Sequence, residues 1–245
     1  MIDIHPAHHA ATSRREFFIH IATIVLGILI ALGLEQTIEV IHHYHQRRQL
    51  EEDLREEAQH NVGTIQADEK SFAVYVNWYR DILTAGREAK PAAGFVTLAI
   101  PSRVDPEPAQ RPMDNVWPAA KASGAVAALP RDEIEVFGRV STYAEYADQI
   151  SLVRQAGLLS QNAVLSRLGL TLDPGTTVRM APQDRDELMR AVANHLEGYR
   201  QLSSADATWQ GVSEAVLHGV RSIDEFSPYI RQAQIATQAQ ITQPK

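Results

Sequence analysis

The chain has 245 residues, 44% apolar and 22% charged, the balance of a sequence that buries a core, and its length favours one sizeable domain. Net charge is −7, from 30 acidic against 23 basic residues, and no Lys/Arg run supplies the basic surface that duplex nucleic acid needs, so nucleic acid is not an expected partner. With no cysteine, disulfides, thiolate metal sites, iron–sulfur clusters and cysteine nucleophiles are removed together.

Residues 1–16 show no periodicity and are predicted to form a mobile N-terminal arm. Phe17 to Leu34 then reads FFIHIATIVLGILIALGL, without a formal charge. Eighteen helical residues span roughly 27 Å, close to the hydrocarbon thickness of a bilayer. Ser13-Arg14-Arg15-Glu16-Phe17-Phe18 resembles the twin-arginine export motif, and Ala31-Leu32-Gly33 is a passable small-x-small cleavage site. Two features favour an anchor that is kept. The apolar block exceeds the roughly 7–15 residues of a signal peptide's apolar region. Helical patterning also continues past the would-be cut, through Ile38, Ile41, Leu50, Leu54, Ala58, Val62 and Ile65, with no Gly, Pro or Asn between residues 34 and 60. Residues 17–41 are therefore predicted as a transmembrane helix and its interface. Arg14 and Arg15 lie closer to the apolar block than Arg47 and Arg48, which favours a cytoplasmic N-terminus and a periplasmic C-terminal domain at a bacterial inner membrane.

Residues 42–222 are predicted as a helical bundle domain. Phe72, Val76, Tyr79 and Leu83 carry the first helix to about Gly86, with a kink near Gly63. Pro91, Gly94, Pro101, Pro106, Pro108 and Pro112 make 87–113 an irregular connection, with a short extended piece at Phe95–Ile100. Pro118 and Gly124 bracket a short helix, and Pro130, with Asp132 and Glu133 behind it, opens a long one that ends near Gly169. Its buried side is read as Ile134, Phe137, Ala144, Ala147, Ile150, Leu158, Leu165 and Leu168. A turn-rich loop built on Asp173-Pro174-Gly175 leads to Pro182, which opens the last long helix. Leu188, Val192, His195, Tyr199, Leu202, Trp209, Val216 and Val220 mark its inward side, and residues 223–245 thin into a Gln- and Ala-rich tail. The expected fold is all-α: a single N-terminal transmembrane helix continuing into a membrane-proximal bundle of three long helices and one short one.

The IVLGILIALG anchor, the charged helix after it, and Trp117-x-x-Ala120-x-x-Ser123-Gly124 followed by Leu129-Pro130 together resemble a group of uncharacterised bacterial single-pass membrane proteins. That group has no assigned activity, so the resemblance implies topology alone.

At 100° per residue His20, Thr23, Gly27, Ala31 and Glu35 share one stripe of the apolar block. Small residues at 23, 27 and 31 let a second helix approach, and an ionisable group inside a membrane usually faces protein, so this stripe is the candidate packing seam. Eight of the ten histidines fall in the first 60 residues. His42 and His45 share a helix face, as His5 and His9 would, but zinc takes three or four ligands and none further is evident, so no metal or other cofactor is assigned. The charge run at 51–57 reads as a solvated face with pairs such as Glu51–Arg55. No Ser-His-Asp, phosphate-loop, dinucleotide or HExxH pattern occurs, and no catalytic residue is assigned. The leading expectation is a non-enzymatic, membrane-anchored scaffold or accessory subunit. Its expected partners are membrane lipid and a second copy or another membrane protein. A periplasmic sensor or ligand-binding bundle is the alternative.

Overall fold

A computed structural model describes residues 14–106 and 110–242; His5, His8, His9 and Pro108, and with them the expected arm up to Ser13, lie outside the described residues. The fold is all-α with one small ribbon: α1 (Arg14–Glu88), β1 (Val96–Ala99), α2 (Val116–Ser123), α3 (Arg131–Leu168), β2 (Thr177–Met180), α4 (Pro182–Leu217) and α5 (Ser227–Thr242). The chain divides into two compact units, Met1–Gln49 and Leu50–Lys245, with the boundary inside α1.

In the first unit every described side chain but one is exposed, the half-buried Arg47. Between Phe17 and Leu34 the large apolar side chains are 42–66% exposed, and the segment is long and apolar enough to cross a membrane.

In the second unit burial begins at Leu50 and follows the inward positions read from the sequence. Helix α1 passes through Gly63 without a break in its helical bonding. One apolar cluster gathers Leu50, Leu54, Trp117, Phe137, Trp209 and Phe226; a second gathers Phe72, Val76, Ile82, Leu98, Leu188 and Val192.

The terminators work as their chemistry predicts. Gly124 (φ 78°) and Gly169 (φ 64°) cap α2 and α3 in the left-handed conformation that glycine adopts without strain. The Gly169 N–H reaches the carbonyls of Leu165 and Ser166, and that of Leu170 returns to Leu165. Pro182 occupies the start of α4, where a missing N–H costs no helical bond.

Two expectations are corrected. The stretch read as a turn-rich loop contains β2, which pairs antiparallel with β1 in the register Val96↔Met180 to Ala99↔Thr177. The Asp173-Pro174-Gly175 turn is present, closed by Thr176 N–H to the Asp173 carbonyl, and it aims Thr-Val-Arg-Met at the extended piece. Leu98, Val178 and Met180 join the second cluster, and Val96, in alternation with Leu98, is buried. The thinning tail is instead a 3-10 turn at Ile223–Phe226 followed by α5, with Phe226, Ala233, Thr237 and Ile241 buried. The bundle thus has one more helix than expected.

The proline-rich connection is held by polar side chains of α1. The Glu57 carboxylate accepts from the N–H groups of Asn115 (2.8 Å) and Val116 (3.1 Å), capping α2, whose own Asn115 provides no side-chain cap. Asn61 grips Met113 on both sides: its Nδ2 donates to the carbonyl (2.6 Å) and its Oδ1 accepts from the N–H (2.7 Å). Asp68 Oδ1 accepts from Gln110 N–H, and Trp78 Nε1 donates to the Pro101 carbonyl. Spacings of four and seven put 57, 61 and 68 on one helix face, a polar ladder.

Candidate functional site

Three features invite a functional reading: the apolar stripe, a ring-lined pair of helices and a buried acidic layer.

His20, Thr23, Gly27, Ala31 and Glu35 all lie on α1 and are exposed. Thr23 Oγ1 donates to the Ile19 carbonyl (2.9 Å), so its hydroxyl is satisfied within the helix. A Cβ added at Gly27 meets nothing within 4 Å. The stripe is thus an open face. Further along α1, His42 Nε2 accepts from Gln46 Nε2 (2.8 Å) and His45 lies beside the Tyr44 ring. Among the described residues no group of three or more His, Cys, Asp or Glu is placed to hold a metal.

In the Leu50–Lys245 unit, α3 and α4 come close at two glycines. A Cβ at Gly157 would lie 3.2 Å from His195 Cα, and one at Gly198 would lie 2.9 Å from Arg154 Cα. His195 is 1% exposed, with its ring near those of Tyr79 (4.9 Å) and Tyr199 (5.1 Å). Tyr199 stacks on Tyr75 and carries the Arg154 guanidinium over its face, 5.1 Å from the centroid. His195 Nδ1 lies 2.9 Å from Gln161 Oε1, an acceptor, so Nδ1 carries the proton and the buried, unpartnered Nε2 does not. Burial first, then the Arg154 charge, lowers the His195 pKa to about 4, and burial raises that of Tyr79 to about 12. Both groups are neutral at physiological pH.

Asp68 and Glu69 on α1 and Asp206 on α4 are each at most 3% exposed and interact electrostatically. Thr237 on α5 donates to Glu69. Arg111 bridges outward, its Nη2 donating to Asp148 (2.7 Å) while Nη1 stands 3.8 Å from Asp206 Oδ1. Burial, reinforced by Asp68, Glu69 and Asp148 and opposed by Arg111, raises the Asp206 pKa to about 7. Burial also raises Glu57, Asp68, Glu69 and Asp114. The layer therefore holds a proton near neutrality.

Sequence reading placed His195 and Tyr199 inward but passed over Asp68 and Asp206. The signal was there: Asp68 falls between Ile65 and Phe72, and Asp206 between Leu202 and Trp209, at core spacing. A carboxylate at such a position is a buried one.

Two open grooves flank these layers. One of about 710 Å³ is lined by Gln59, His60, Thr64, Asp68, Ser71 and Gln110; another of about 500 Å³ by Glu197, Arg200, Ser203, Gln234, Thr237 and Ile241. Neither groove is lined by His195, which is buried among the Tyr79 and Tyr199 rings.

No protein-family model, no curated protein and no solved structure matches the chain, and nothing in these comparisons points to enzyme activity.

Proposed function

We propose that the chain is a membrane-anchored helical scaffold or accessory subunit of a bacterial inner-membrane assembly, with a cytoplasmic N-terminus and the Leu50–Lys245 unit in the periplasm. The carrying observation is the exposure of the whole apolar row from Phe17 to Leu34, beside a unit that buries its core normally. In water such a row is a contiguous patch beyond the few hundred Å² that soluble proteins tolerate; in hydrocarbon it is an ordinary surface. The open stripe of His20, Thr23, Gly27, Ala31 and Glu35 then supplies a seam for a second helix, since its small residues leave room for close approach.

Alkaline carbonate extraction and intact mass test the anchor. A chain that stays in the membrane pellet at full mass supports it; a soluble species beginning near Leu34 refutes it. Gly27→Leu tests the seam, with loss of self-association or of co-purifying subunits in native membrane as the expected result.

The sensor reading is favoured by one observation, the groove of about 710 Å³ on the α1 side of the unit. A small ligand that raises the melting temperature of the chain, blocked by a bulky substitution at Gly63, would select it.

A further inference from the structure

Among the described residues, nothing in the chain covers the outward face of α3. Leu152 and Leu159 are 64% and 69% exposed, and Tyr146 and Val153 about half, while Ala156, between the leucines, and Ala163, one turn beyond them, are also exposed. The opposite face, through Ala144, Ala147, Gly157 and Gln161, is the one turned inward. From Gln149 to Ser166 the only charged residue is Arg154, and it turns inward over the Tyr199 ring.

Leu152, Ala156, Leu159 and Ala163 are spaced 4-3-4, the interval of a two-helix seam. We propose that this strip is a homodimer interface, on which α3 of a second copy packs antiparallel with each leucine of one copy against an alanine of the other.

Self-complementarity selects the occupant. A two-fold axis between Gly157 and Leu158 sets Leu152 opposite Ala163 and Ala156 opposite Leu159, large against small in every layer. Parallel pairing would set leucine on leucine and alanine on alanine, crowding one layer and leaving voids in the next. The same two-fold brings Tyr146 beside Arg167 of the second copy, since the two lie three heptads apart on one edge of the strip; Arg167 is half-exposed. The strip offers on the order of 600 Å² per copy, so the pair buries about 1,200 Å², the lower end of a stable complex. A lipid surface fits less well, because Glu145 and Asp148 flank the strip against the single basic residue Arg167 at its edge. This deepens the scaffold reading and rests on it, naming where two copies meet.

Because the chain has no cysteine, introduced thiols are unique. Full-length Ala156→Cys and Leu159→Cys chains, differently tagged and co-expressed, are oxidised mildly in native membranes. The expected result is at least tenfold more disulfide between them than Leu152→Cys forms with itself, whose two copies would be separated by about 16 Å along the helix axis. Leu159→Glu, with helix content checked by circular dichroism, should shift the detergent-solubilised chain from dimer to monomer. Strong Leu152→Cys self-linking, equal linking at all positions, linking to a different polypeptide, or shielding of the Leu159→Cys thiol by lipid vesicles alone each overturns the proposal. A dimer lost in Gly27→Leu but indifferent to Leu159→Glu overturns this inference and spares the membrane seam. A chain that is monomeric in every variant overturns both.

Discussion

Asp206 and His195 titrate in opposite senses, and Asp206→Asn separates them. The Asp206 carboxyl has its folded pKa raised from 3.8 to about 7. Between those values the folded chain holds a proton that the unfolded chain has released. Its contribution is fully present below pH 3.8 and is lost as pH rises through 7, by about 4 kcal/mol at 1.36 kcal/mol per unit. His195 is lowered from 6.5 to about 4, so the unfolded chain binds the proton first. Its contribution is fully present above pH 6.5 and is lost as pH falls through 4, by about 3 kcal/mol on the same scale. Between pH 4 and 6.5 the two slopes nearly cancel, and the parent chain should show little pH dependence from this pair.

Asp206→Asn removes one slope. Stability relative to the parent should rise by about 4 kcal/mol from pH 4 to pH 8, because the neutral amide spares the fold a buried charge at the alkaline end. His195→Gln should do the reverse, losing about 3 kcal/mol relative to the parent from pH 4 to pH 7. Urea unfolding of the detergent-solubilised chain reads this through tryptophan fluorescence, since Trp78, Trp117 and Trp209 are all buried in the Leu50–Lys245 unit. A difference between the parent and the Asp206→Asn chain that stays constant within about 1 kcal/mol across that range would refute the buried-proton argument.

The close helix contacts make a second test. Gly211→Ala places a Cβ 2.6 Å from the Ile230 Cα, backbone that cannot step aside, and should cost about 1–3 kcal/mol and free α5 for early amide exchange. Gly33→Ala, with nothing within 4 Å of the added Cβ, serves as the clash-free comparison in the same melt. Asn61→Ala breaks both bonds to Met113 and should cost about 1–3 kcal/mol, with limited proteolysis accelerating between Ile100 and Asn115 and not elsewhere. Cleavage spread evenly along the chain would count against the polar ladder.

The long elements were legible because their apolar residues repeat at helical spacing over many turns and their ends carry Pro or Gly. What escaped did so for physical reasons. Helix α5 buries Ala233, Thr237 and Ile241 four residues apart, a stripe too weakly apolar to stand out from Gln and Ala neighbours. Strand β2 is four residues long, and its alternation becomes visible only when Val96 and Leu98 pair beside it. Helical bonding runs on through Gly63 because a single glycine costs a helix only about 1 kcal/mol, which the buried neighbours Val62, Thr64 and Ile65 outweigh. On α3 the inward side was legible, through Phe137, Ala144, Ala147, Leu158 and Leu165, but a second apolar row left in the open was not. Leu152 and Leu159 are as apolar as Leu158 and Leu165, and composition does not say whether a further row is covered.

The polar interior also fixes how α3 lies on α4. At the crossing, Gly157 admits the His195 backbone while Gln161, one turn on, accepts its Nδ1 proton. Slide α3 by one turn in either direction and Gln161 or Val153 takes the glycine's place, where even a Cβ would press on the His195 backbone at 3.2 Å. Leu165 or Gly157 then takes the glutamine's, and the buried imidazole loses its acceptor at a cost of about 1–3 kcal/mol. An all-apolar interface of leucines and alanines would carry no such penalty and would accept several registers. One hydrogen bond beside one glycine therefore selects a single alignment, and with it the side of α3 on which Leu152 and Leu159 are left to face outward.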